Sequence, residues 1–114
     1  MTIVGKYPEN MSGKDLYKMT KNAKIQKMRD AANTTLEVES WVYYVDVDDK
    51  GKEHDVVSIL DKGTGVVYAT NSPTFCRTFK EILDILTNAG EALDTLDVIE
   101  GTSKGGRTFI TCGL

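Results

Sequence analysis

The sequence predicts an all-β domain with added helices: a five-stranded barrel preceded by a short helical extension. Three observations lead there. One run, Thr34–Val47, is dense in Thr, Val, Trp and Tyr, residues that fit a pleated, half-buried surface. Four more strand-like runs follow it, separated by stretches rich in Gly, Asp and Asn that form turns. One segment with helical spacing, after Ser72, falls between the third strand and the fourth. At 114 residues the chain suffices for one modest core, divided into a basic arm with helices (residues 1–33) and the barrel (residues 34–114).

Met1 to Met11 holds Gly5, Pro8 and Asn10 without periodicity and predicts a flexible arm. Ser12 caps a short helix, with Asp15 three residues on and Leu16 and Met19 sharing one side. Ile25, Met28 and Ala32 lie at i, i+3 and i+7 and predict a second helix beginning at Thr20 or Asn22. Lys21, Lys24 and Lys27 form an exposed stripe beside them.

The run Thr34–Val47 is 14 residues, against about five or six for an ordinary strand. Leu36, Val38, Val42 and Tyr44 share one alternation set; Glu37, Glu39, Trp41, Tyr43, Val45 and Val47 share the other. The second set begins acidic and ends apolar, which predicts a bend or bulge near Ser40 and a strand serving two walls of a curved sheet. Turns at Asp48–Lys52 and Asp61–Gly65 bracket a strand at Asp55–Leu60, and Val66–Thr70 follows. Ser72 then caps a helix with Pro73 in its first position and Phe75, Phe79, Ile82, Leu83 and Leu86 at core spacing; Gly90 ends it. Thr95–Glu100 and Arg107–Gly113 are the last strands, joined by a glycine-rich turn, Gly101–Gly106. The order β-β-β-α-β-β is that of an OB-fold, a barrel that commonly binds oligonucleotides or oligosaccharides.

Net charge is −3, which on its own argues against a phosphate-rich partner. The total conceals an asymmetry: up to Asp30 there are seven basic and three acidic residues, leaving that segment at +4 and the rest at −7. No run approaches the roughly 20 apolar residues of a membrane helix, and the N-terminus lacks a signal-peptide centre. Cys76 and Cys112 have no metal-ligand spacing, and one histidine completes no zinc set. A soluble, cytoplasmic protein with two reduced structural thiols is expected.

The aromatic residues are the most informative candidates. Trp41, Tyr43, Tyr44 and Tyr68 fall on the first and third predicted strands. If Val42 is core, Trp41 and Tyr43 face outward, where a ring offers an unstacked base about 1–3 kcal/mol whatever its identity; the plainer reading makes these rings core. Lys24 and Lys27, with Arg77 on the long helix and Lys104 and Arg107 by the last turn, are candidate phosphate contacts, and otherwise ordinary solvated cations. Other motifs fail. Asp46-x-Asp48-x-Lys50-Gly51 starts like a calcium loop but carries Val57 where Glu is required. Gly101–Gly106 does not read as a phosphate-cradling loop, and no triad or nucleophile elbow is present. The chain therefore reads as a non-enzyme, with no cofactor and no metal.

Thr35-Leu36-Glu37, Tyr44, Gly65-Val66-Val67-Tyr68-Ala69-Thr70, the helix after them and Val98-Ile99-Glu100-Gly101-Thr102-Ser103-Lys104-Gly105 resemble small phage-encoded single-stranded DNA-binding proteins of protein-primed replication and their relatives in phages of Gram-positive bacteria. The resemblance spans Ala32 to the C-terminus, and the Gly-Thr-Ser-Lys-Gly hairpin is its most distinctive part. It implies an OB-fold protein that coats and protects displaced single strands during replication in the host cytoplasm, with stacking rings at Tyr44 and Tyr68. It does not extend to the lysine-rich segment before Asn33. The leading expectation is a single-strand binder using Trp41, Tyr43, Tyr44 and Tyr68 for stacking, with replication proteins and a second copy of the chain as further candidate partners. The alternative is a protein-interaction module whose acidic barrel meets a basic surface and has no DNA affinity.

Overall fold

In the computed structural model, which describes all 114 residues, the elements run β1 (Thr2–Tyr7), α1 (Gly13–Thr20), β2 (Gln26–Lys27), a 3-10 turn (Met28–Ala31), β3 (Thr34–Val47), β4 (Glu53–Asp61), β5 (Val67–Thr70), α2 (Pro73–Asn88), β6 (Thr95–Thr102) and β7 (Thr108–Gly113). The sheet order is β2-β5-β4-β3-β6-β7, with β1 also paired to β3. Only β2 and β5 run parallel. This is a curled, mixed half-barrel of seven strands, and it replaces the predicted five-stranded OB-fold barrel with its helical extension.

The difference arises in the first 33 residues, which are built into the fold. β1 lies antiparallel along β3, from Thr2 opposite Val45 to Tyr7 opposite Trp41. Its strand character comes from that edge, because Gly5 and Pro8 hide any local pattern. The expected second helix does not form. Asn22 Oδ1 accepts the Lys24 N–H at 3.1 Å, a local turn that competes with helix. Gln26 and Lys27 then pair with Tyr68 and Ala69. Lys24 and Lys27 are consequently exposed on a turn and a short strand, not on a helix face.

From Thr34 on, the elements stand close to where the sequence puts them. The register of β3 against β4 shifts between Val38 and Ser40, and this bulge divides the strand between two cores. Before it Leu36, and after it Tyr43, face the main cluster with Val57, Ile59, Phe75, Phe79 and Leu96. Val42 and Tyr44 face the opposite side, where Met19 of α1 covers them. Ser72 Oγ accepts the Phe75 N–H, so α2 starts on its cap. The helix buries Phe75, Cys76, Phe79 and Ile82 against the sheet; Phe→Ala at such a site costs about 3–5 kcal/mol. The calcium-like segment is a hairpin: Asp48 accepts from the Lys50 and Lys52 amides and meets His54 Nε2 at 2.9 Å. Neither helix is long and apolar enough to cross a membrane.

Candidate nucleic-acid interface

The half-barrel stays open where β7 faces β5 and β2. Two side-chain links cross the gap in place of a ladder: Arg29 Nη1 donates to Thr108 Oγ1 at 3.0 Å, and Ser72 Oγ donates to the Ile110 carbonyl at 3.2 Å. Between them lies a seam cleft of about 640 Å³. Lys27 and Arg29 line it, along with the hydroxyl and amide groups of Thr70, Asn71, Thr74 and Thr108, and no carboxylate does. Neither cation is in an ion pair; the chain has only Lys21–Asp46 at 2.8 Å and His54–Asp48.

Phe109 supplies the cleft with an aromatic wall. In β7, Ile110 and Cys112 point into the core, so the alternation turns Phe109 to the outside, half-buried. It stands opposite Gly101 in β6. The tip of its ring fills the space over that glycine: a Cβ there would lie 2.6 Å from Phe109 Cζ. A half-exposed ring beside two unpaired cations is an arrangement suited to a base and its phosphate.

The predicted stacking rings are placed otherwise. Tyr43 is buried in the main core, its hydroxyl donating to Asp55 Oδ2 at 2.5 Å. Burial, then the carboxylate of Asp55, pushes its pKa well up. Tyr44 is buried on the opposite face beneath α1, with Lys21 Nζ 5.9 Å from the ring centroid. Trp41 packs edge-on against Phe79, centroids 5.6 Å apart, and Tyr68 packs against the main cluster. Adjacent residues of β3 face opposite sides, and both sides are covered, so Tyr43 and Tyr44 are both buried. Neither is a stacking platform.

Among the predicted cations, Lys27 is in the seam and Arg107 adjoins Thr108 at its edge; Arg77 and Lys104 are exposed on α2 and the β6–β7 turn. Lys24 lines a larger cleft of about 870 Å³ beneath α1, where Lys18, Asp15 and Glu39 make the charges cancel. Arg29 and Phe109 are the residues that sequence reasoning missed. The signal for Phe109 was a strand glycine facing an aromatic residue, hidden because all of Gly101–Gly106 reads as turn. Pairing in fact continues to Thr102 opposite Thr108.

No group of His, Cys, Asp and Glu converges as a metal site. Burial pushes the thiols of Cys76 and Cys112 up to about 12, which makes them poor nucleophiles. No family model, curated protein or solved structure matches the chain.

Proposed function

We propose that the protein binds single-stranded DNA along the seam between β5 and β7, without catalysing a reaction on it. The observation that carries this reading is the convergence of Lys27, Arg29 and Phe109 in a cleft that no carboxylate lines. The cations neutralise phosphates and the ring stacks a base irrespective of sequence, so affinity is salt-dependent and sequence-tolerant. The resemblance of the Gly101–Gly105 hairpin to that of phage single-strand binders supports the same reading, since the strands of this hairpin carry Gly101 and Phe109. On this reading the protein coats single strands during phage DNA replication in the host cytoplasm.

The deciding experiment is an anisotropy titration of fluorescein-labelled oligo-dT at low and at physiological salt. Saturable binding that weakens with salt is expected. Trp41 emission stays constant through the titration, because its ring lies against α2 and not in the seam. No anisotropy change at low salt overturns the reading.

A further inference from the structure

A third groove, of about 540 Å³, lies at the far end of α2, between that helix, the loop after it and the bulged part of β3. Trp41, Leu83, Leu86 and Leu93 give it apolar walls. Glu39, Glu91 and Asp94 stand on its rim against the single cation Lys62. All three carboxylates are exposed, and none is in an ion pair.

No cation of the adjoining chain offsets this charge: the stretch from Glu81 to Ser103, which holds Glu91 and Asp94, has no Lys or Arg. The last turn of α2 also lacks a basic residue, so its C-terminal dipole adds to the same sign. A nucleic acid is repelled here, as is any acidic segment. The volume accommodates a few apolar side chains.

From this charge complementarity we infer that the groove docks a basic, apolar segment of a protein partner, inserting apolar side chains beside Trp41 while its Lys or Arg residues meet Glu39, Glu91 and Asp94. The site lies outside the seam and needs no DNA. The protein would thus carry a nucleic-acid face and a separate partner face of opposite charge.

Trp41 is the only tryptophan and stands in the groove wall, so its emission reports occupancy directly. The probes are a synthetic amphipathic Leu/Lys peptide and its Leu/Glu counterpart, each titrated into the intact protein. The Leu/Lys peptide is expected to change Trp41 emission saturably and the Leu/Glu peptide to leave it unchanged. Reversing the rim charge with Glu91→Lys and Asp94→Lys together weakens the Leu/Lys peptide by about tenfold or more. The same two-charge reversal at Asp49 and Glu53, in the distant β3–β4 hairpin, has little effect. The inference is overturned if emission does not respond, if both peptides act alike, or if the two double reversals weaken the Leu/Lys peptide equally.

Discussion

The ring of Phe109 occupies the space above Gly101 that a side chain would fill. Gly101 thus acts through what it leaves empty, because the ring leans across the hairpin into that space. Phe109→Ser is expected to weaken oligo-dT binding by about 1–3 kcal/mol, the range for losing one stacked base. Gly101→Ala, which keeps the ring but displaces it, shifts affinity in the same direction. Anisotropy titrations check both, and unchanged affinity in both variants removes Phe109 from the interface.

Phosphate contacts leave a separate signature. Lys27→Ala and Arg29→Ala are each expected to reduce the slope of log affinity against log salt by about 0.7, one counterion's worth on a single strand. Arg29 has a second role, since its link to Thr108 spans the seam, so Arg29→Lys keeps the charge and tests that geometry. Lys21→Ala is the control: Lys21 is already paired with Asp46 and its loss leaves the slope unchanged.

What could be read from the sequence followed how local the governing interactions are. Ser72, Pro73 and Gly90 mark the ends of α2 through short-range capping, and the acidic-to-apolar switch in Thr34–Val47 marks the bulge. β1 and β2 were hidden because their strand character is imposed by partners far along the chain, β3 for one and β5 for the other. The site was harder still. Exposure of Trp41 and Tyr43 was inferred from alternation with Val42, and alternation assigns a ring to a face but not to the water; here both faces of β3 are covered, one by α2 and one by α1. Phe109 needed the hairpin register, which three glycines within the six residues Gly101–Gly106 concealed.

Burial of the N-terminal segment also sets what its truncation does. Residues 1–30 supply β1, Met19 and Met28, the last two 2% and 0% exposed. Their removal uncovers Val42 and Tyr44 and strips one edge of β3, so the truncated chain should lose cooperative thermal unfolding altogether. Tyr68→Ala should lower the urea midpoint while oligo-dT affinity at low denaturant is kept, because the ring packs on the core. Circular dichroism melts and urea titrations test these expectations. A truncated chain that melts cooperatively would return the segment to the status of an appendage.

Asp61 gives the fold a defined acid sensitivity. Its carboxylate accepts the Glu37 N–H at 2.9 Å and the Thr64 hydroxyl at 2.7 Å, tying β3 to the turn between β4 and β5. Burial alone pushes its pKa up, but the Thr64 hydroxyl and the amides of Glu37, Gly63 and Thr64 outweigh it, so the carboxyl titrates below its ordinary value. A carboxyl with a lower pKa folded than unfolded stabilises fully above the unfolded value and loses that contribution as pH falls through the folded one. Asp61→Asn is therefore expected to cost about 1–3 kcal/mol at neutral pH, where amide donors lose their charged acceptor. The gap from wild type should narrow as acid protonates Asp61 in the parent. Urea midpoints of both proteins at neutral and acidic pH decide this: a difference that stays constant across that range would show that the ionised form of Asp61 contributes nothing to the clamp.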